Sequence, residues 1–449
     1  MTHDLTVGKV TPTLFKYTLP MFISVIFQQM YSITDSAIAG KFAGEDALAS
    51  IGASYPITMI FMAICTGCNI GSTVVLSQYF GAKKIKNFKT GATTVLIFGA
   101  ALSLTLTVIA VALSPFMLSA IETPAEIFED AQTYLRVYLS GFLFLFLYNI
   151  INGIFNAMGD SKTPLYFLIA SSLGNVVLDI LFVPVLEMGV FGAGFATFIA
   201  QGLACVSAFA VVLKRLNYLK TDSVPSRFSF ELLSTVLFVA IPSVLQSSFV
   251  SVGNLLIQSL INSCGKSAIA GFSAAFKLNT FYLTCIGTIG GGVSAFTAQN
   301  VGAGKPDRVR AGLKSGLCMG LIFAVPFVIA YLFISNPLLL VFIESGGSEA
   351  LSIGKQFLTI TSPFYFFITI KLICDGVLKG TKSMKFFMIS TFTDLILRVV
   401  ISFVLFEPFG IYGIFSSWPV GWIFGAALST GFYFAVTFKK DKLYRTKLT

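Results

Sequence analysis

Apolar runs of twenty or more residues recur from one end of the chain to the other, each closed by a short polar stretch. A helix needs about 20 apolar residues to cross the hydrocarbon of a bilayer, so this rhythm predicts membrane-spanning helices. Twelve spans are predicted, near 15–39, 50–79, 92–118, 134–157, 164–186, 190–213, 232–258, 268–299, 312–334, 356–378, 385–406 and 411–437. A membrane β-barrel would alternate over about ten residues, whereas these runs are continuous. Composition agrees: of 449 residues, 55% are hydrophobic and 11% charged, where a soluble domain carries about 25% charged residues. The expected class is an all-α membrane protein. The polar start, Met1 to Thr13, lacks the regions of a cleaved secretory signal, so the first span is expected to stay as an anchor.

Charge adds orientation. One set of loops holds Lys83, Lys84, Lys86, Lys89, Lys162, Lys214, Arg215, Lys220, Arg227, Lys305, Arg308, Arg310, Lys314, Lys379, Lys382 and Lys385. With Lys9, Lys16 and the tail residues Lys439, Lys440, Lys442, Arg445 and Lys447, that side carries 23 of the 30 basic residues. The opposite loops hold Lys41, Arg136, Lys266 and Lys355 beside Glu122, Glu126, Glu129 and Asp130. By the positive-inside rule both termini are expected in the cytoplasm, with the chain in the cytoplasmic (inner) membrane. The net charge of +10 is thus topological, and no nucleic-acid partner is expected.

The halves repeat. "SQYFGAKK" around Gln78 returns as "AQNVGAGK" around Gln299, an offset of 221. Within a residue or two the offset also pairs Pro20 with Pro242, Gly71 with Gly292, Gly91 with Gly312, Gly159 with Gly380 and Gly192 with Gly413. Six spans per half is an even number, so the repeat is parallel and yields two pseudo-symmetric six-helix bundles. The expected division is an N-lobe (1–213), a polar cytoplasmic linker (214–231) and a C-lobe (232–449). Two such bundles form an architecture that supports alternating access.

The candidate chemistry lies in the first lobe. Asp35 stands in an apolar span, where a charge near the bilayer centre costs about 2.5–3.5 kcal/mol. Asn175 and Asp179 lie one turn apart on one face of the fifth span, and Thr197 lies at matching depth on the sixth. Tyr31 is one turn from Asp35, and Asn149, Asn152 and Asn156 form a stripe on the fourth span. The first lobe's spans offer these acids no basic partner, so the group reads as a cation site. It can bind protons, or Na⁺ through carboxylate, amide and hydroxyl oxygens of Asp35, Asn175, Asp179 and Thr197.

Here "AMGDSKTP" (157–164), "GNVVLD" (174–179), the paired "SQYFGAKK" and "AQNVGAGKP" and the first-span Asp resemble the multidrug and toxic compound extrusion (MATE) family, in its prokaryotic DinF-like and MepA-like branches. The resemblance covers essentially the whole chain and implies the MATE fold. It also implies an inner-membrane antiporter that exports amphipathic, mostly cationic compounds against inward H⁺ or Na⁺; membrane lipids are its expected surroundings, and a monomer is the default expectation. No cofactor beyond the coupling ion is implied. The family's first-lobe network falls on Tyr31, Asp35, Asn149, Asn152, Asn175, Asp179 and Thr197. The glutamate that Na⁺-coupled relatives carry in helix seven is missing from "IPSVLQSSFVSVGN" (241–254), which points the coupling chemistry to the first lobe.

Other signals are weaker. "CGKS" (264–267) lacks the first glycine of a phosphate loop, and Cys65 with Cys68 lies in an apolar helix without a second pair. Asp394 and Arg398, one turn apart at the expected equivalents of Asn175 and Asp179, read as a structural or coupling pair. Lys371 can snorkel or pair with Asp375, and Lys277 has no evident partner. The single histidine, His3, lies in the terminal tail, so an enzyme is not expected. The alternative transporter is a flippase for a lipid-linked sugar or peptidoglycan precursor. Its cleft should be rich in Arg and Lys, yet Lys277, Lys371 and Arg398 are the basic residues within spans.

Overall fold

The computed structural model describes residues 4–38, 42, 45–221, 223–343 and 348–445, with side chains left out at 33, 35–37, 45–48, 348 and 437–445. These residues are helical, without a strand among them. The helices are α1 (Val10–Ile38), α2 (Glu45–Gly81), α3 (Ile85–Ala120), α4 (Phe128–Ser140), α5 (Phe142–Ala157), α6 (Lys162–Ile180), α7 (Gly189–Tyr218) and α8 (Phe230–Asn262). There follow α9 (Lys266–Gly302), α10 (Pro306–Phe333), a short α11 (Ser335–Leu339), α12 (Ser348–Thr361), α13 (Tyr365–Gly380), α14 (Met384–Phe409) and α15 (Ile411–Arg445).

Among the described residues eleven helices are long and apolar enough to span a bilayer, and α4 with α5, bent by 42°, makes a twelfth. The bend falls at Ser140–Gly141, a pairing that weakens a helix, and its counterpart between α12 and α13 is a 3₁₀ turn at Ser362–Phe364 containing Pro363.

The repeat shows itself in the turns. Lys83 and Gly304 both adopt left-handed φ (58° and 67°), and each is followed by an amide that closes the preceding helix. Those closures are Lys84 N to Tyr79 O (3.0 Å) and Lys305 N to Asn300 O (2.9 Å). The same device recurs at Gly159 and Lys382 (φ 72° and 57°), with Asp160 N to Phe155 O (2.9 Å) and Ser383 N to Leu378 O (2.8 Å). Glu187 and Gly410 (φ 53° and 56°) form a third pair. The first pair keeps the offset of 221, while the second and third require 223.

That drift corrects two pairings read from the sequence. Gly159 answers to Lys382, not Gly380. Because turns at both ends of α6 and α14 fix the longer offset, Asn175 answers to Arg398, Asp179 to Ser402 and Ser171 to Asp394. Likewise α5 and α13, sixteen residues each, align Tyr148 with Lys371 and Asn152 with Asp375.

Two compact units emerge: Met1–Asp4 with Leu19–Val244, and Leu5–Thr18 with Leu245–Thr449. In the second unit the chain start is held through its own backbone. Arg308 donates to the carbonyls of Gly8 (2.7 Å), Leu5 (3.0 Å) and Val7 (3.1 Å), Lys305 donates to Thr6 O (2.8 Å), and Thr11 Oγ1 meets Ser315 Oγ (2.8 Å). In the first unit Ser226 N and Ser229 N donate to Thr90 Oγ1 (3.1 Å) and Thr94 Oγ1 (3.0 Å). Thr94 and Ser315 are repeat partners, so the segment leading into each half docks on the third helix of the other half.

Candidate functional site

α6 has an unusual buried stripe. Its inward residues are Leu165, Ser172, Asn175 and Asp179, while Leu173, Val177 and Ile180 face outward. The exposed face is therefore apolar, and the polar face is packed inside, as an ionisable residue in a membrane requires. Asn175 and Asp179 are 2% and 1% exposed.

Immediately beyond Asp179 the helix widens into a π turn, Leu181–Val185, closed by Leu186 N to Leu181 O at 3.0 Å. Pro184 lacks the N–H that would have bonded Ile180 O, and the wider turn absorbs that loss. α7 then returns, with Gly192 so close to the Phe182 carbonyl that a Cβ would lie 3.1 Å from it. This approach brings Thr197 beside α6. Asn175 Nδ2 donates to Thr197 Oγ1 at 3.5 Å, and Thr197 donates to Ala193 O at 3.1 Å.

One turn farther along the same helices, Ile38, Val183 and Ala193 pack into an apolar cluster with Val176 against it. Ile38 follows position 35 by three residues, Val183 follows Asp179 by four, and Ala193 precedes Thr197 by four. The cluster thus places backbone positions 35, 179 and 197 in one layer. The Asp35 side chain lies outside the described residues.

The amides divide. Asn149 Nδ2 bonds back to Leu145 O (2.9 Å), and its own carbonyl accepts from Asn69 Nδ2 (2.8 Å), so Asn149 ties α2 to α5 and does not join Asn175 and Thr197. Asn69 was not singled out in the sequence; an amide inside an apolar span was its only signal. Asn152 Oδ1 and Asn175 Oδ1 are buried and accept no hydrogen bond from the described residues. A buried acceptor without a protein donor is one that an ion or water can satisfy. Tyr31 is half-buried on α1.

The "GDSKTP" motif has a different task. Asp160 accepts from Thr163 N (3.1 Å) and Thr163 Oγ1 (2.7 Å) and pairs with Arg215 (3.3 Å). It caps α6 and ties its start to the end of α7.

The second unit holds a denser group. Lys371 Nζ lies 2.9 Å from Asp375 Oδ2 and 3.8 Å from Asp394 Oδ2. The expected Asp394–Arg398 pair is not the one formed: the Asp394 carboxylate turns to Lys371 on α13, and the Arg398 guanidinium lies over the Trp418 ring at 5.2 Å. Arg398 over Trp418 is the repeat counterpart of Asn175 against Thr197. Lys277 is exposed, with its Nζ 5.4 Å from the Phe342 ring centre.

A family model described as MatE matches the chain twice, over residues 20–181 and 242–404. The probable multidrug resistance protein YpnP of Bacillus subtilis (strain 168) is 28% identical over 416 residues, covering 93% of this chain and 91% of the relative. YoeA of the same organism, also a probable multidrug resistance protein, is 25% identical over 439 residues, covering 95% and 94%. A solved outward-facing structure of a multidrug resistance MATE family transporter of the MOP superfamily superposes with a TM-score of 0.91, covering 98% of this chain and 99% of that one. At 19% identity that last likeness is one of fold.

Proposed function

Because this chain belongs to the MatE family of multidrug transporters, in a prokaryotic branch, we propose that it exports amphipathic, mostly cationic compounds in exchange for H⁺ or Na⁺. The chain is a multi-pass membrane transporter and not an enzyme. In this reading it works as a monomer among the lipids of the cytoplasmic membrane, with both termini cytoplasmic. Its lobes, taken as the two repeats, are residues 1–213 and 232–449, joined by 214–231, with Leu5–Thr18 packed in the second compact unit and the chain up to Val244 in the first.

The observation that carries the reading is the Asn175–Asp179–Thr197 face: a buried carboxylate one turn from an amide oxygen that accepts no hydrogen bond from the described residues. Asp35 is the second acid of the site, with Tyr31 and Asn152 as its polar surround. Taking up H⁺ or Na⁺ neutralises the site and favours one conformation. Substrate favours the other, and the coupling equals the difference in affinity between the two states. The π turn beside Asp179 supplies a helix end whose hydrogen-bond register can change.

The flippase reading is not favoured. Of the basic residues within spans, Lys371 and Arg398 are buried in the second unit's own network. Purified protein in liposomes, with dye efflux driven by separately imposed pH and Na⁺ gradients, tests the proposal. Efflux under one gradient that stops in both Asp35→Asn and Asp179→Asn is expected. Undiminished efflux in both variants, or transport of a lipid-linked precursor in place of dyes, would overturn it.

A further inference from the structure

Lys371 is 3% exposed, in the middle of a membrane-spanning helix, and two carboxylates face its ammonium. Asp375 and Asp394 are both buried. Asp375 Oδ2 accepts from Lys371, while Asp375 Oδ1 accepts from Ser390 Oγ (3.2 Å) and Ser429 Oγ (2.6 Å). The lysine stem has its own slot: a Cβ at Gly425 would lie 2.7 Å and 2.8 Å from its Cδ and Cε. Gly421 makes room for Asp394 in the same way, with a Cβ there 2.5 Å from Oδ1. α15 can close over the group because both positions lack a side chain.

The charges balance. Lys371 and Arg398 offset Asp375 and Asp394, and these are the charged groups facing the ammonium from α13 and α14. Nearest beyond them is Lys379 in the last turn of α13, half-buried, with its Nζ over the Phe387 ring at 4.9 Å and no ion pair to Asp375. Without Lys371, the network of two carboxylates and one guanidinium would carry a net negative charge in a space that excludes water. A buried unpaired charge costs several kcal/mol, so a replacement cation would have to enter. At the matching positions the first unit has Tyr148, Asn152 and Asn175, which are neutral.

We propose that the Lys371 ammonium is a tethered counter-ion, filling in the second unit a cation position formed by Asp375, Asp394, Ser390 and Ser429. Removing it uncovers a latent site for a monovalent cation, H⁺ or Na⁺. As a consequence the exchangeable ion is confined to the first unit; that clause rests on the antiport reading above, whereas the latent site does not.

The test uses purified full-length protein and measures its melting midpoint, not transport. Wild type, Lys371→Met, Lys371→Arg and Lys371→Met/Asp375→Asn are compared in two arms: a Na⁺ titration against choline at fixed pH, and a pH titration in choline. In choline at high pH, Lys371→Met is expected to melt well below wild type. It should recover by several degrees on adding Na⁺ (a metal-cation site) or on lowering pH (a proton site), beyond any response of wild type. The double variant, whose Asp394 and Arg398 charges cancel, should lose that gained response, and Lys371→Arg should not acquire it. If Lys371→Met does not fold but the double variant does, charge balance is the lysine's task and the proposal stands. Failure of both to fold assigns the lysine a packing role and overturns it. So does a Lys371→Met protein that folds without any gained cation dependence. Either result leaves the transport assay of the first-unit site untouched.

Discussion

At the level where the first unit holds Asn152 and Asn175, the second holds Asp375 and Arg398. The helices, turns and offsets are shared, and so are the backbone approaches. A Cβ at Gly153 would lie 3.0 Å from Asn69 O, and one at Gly376 would run into the repeat-equivalent Gly290 O. What differs is the chemistry placed on that frame. The second unit cancels its charges internally and seals them with glycines, serines and a buried aromatic core around Phe272, Phe357, Phe415 and Trp418. The first unit keeps an amide oxygen without a donor, Asn175 Oδ1, one turn from Asp179 on α6, and ends that helix in a π turn. The two frames are equivalent, and they carry different chemistry: charged side chains in the second, and amides with one acid in the first.

Substitutions can break that comparison. The largest effect is expected for Asp179→Asn, which should stop gradient-driven efflux while the protein still folds, because the amide fills the same space. Liposome efflux together with a melting curve checks both halves of that statement. Asp375→Asn should do the reverse, destabilising by about 3–5 kcal/mol because one member of a buried ion pair is lost. Its efflux per folded molecule should be closer to wild type than that of Asp179→Asn. Next, Gly425→Ala should cost about 1–3 kcal/mol by wedging α15 off the lysine stem. Gly174→Ala, with nothing within 4 Å of its Cβ, should be neutral or gain about 0.5–1 kcal/mol. Comparative melting of the two alanine variants measures how tightly each unit is closed at these positions. Within the first-unit site, Asn175→Ala should weaken the apparent affinity for the coupling ion about tenfold, or ~1.4 kcal/mol, the scale of one lost ligand or hydrogen bond. Varying the driving ion in the efflux assay reads that change.

Much of this was readable in the sequence. Spans follow from apolar length, and most helices outrun the expected ends, by up to about two turns at the start of α3 and the end of α15, because polar loop residues continue the helical hydrogen bonding. Asn175, Asp179 and Thr197 were singled out because a polar residue in hydrocarbon stands out and helical rise sets its expected depth, and the structure brings Asn175 to Thr197. Other features depend on neighbours that a linear pattern does not display. Asp394 and Arg398 have the spacing of a pair within one helix, yet the buried ammonium on α13 is close enough for the carboxylate, and Trp418 offers the guanidinium a ring face. The two-residue drift of the repeat hides in turns, where Gly159 matches a lysine, Lys382, in left-handed backbone. Residues 5–8 dock through backbone carbonyls, which the side-chain pattern of the sequence does not display.

The most direct test of the two-unit account is ion uptake by the purified transporter, as protons released or Na⁺ bound when substrate is added and withdrawn. The account predicts that substrate-linked uptake vanishes in the folded Asp35→Asn/Asp179→Asn protein and persists in folded Asp375→Asn. Uptake that survives the first pair of substitutions and disappears with the second would contradict it.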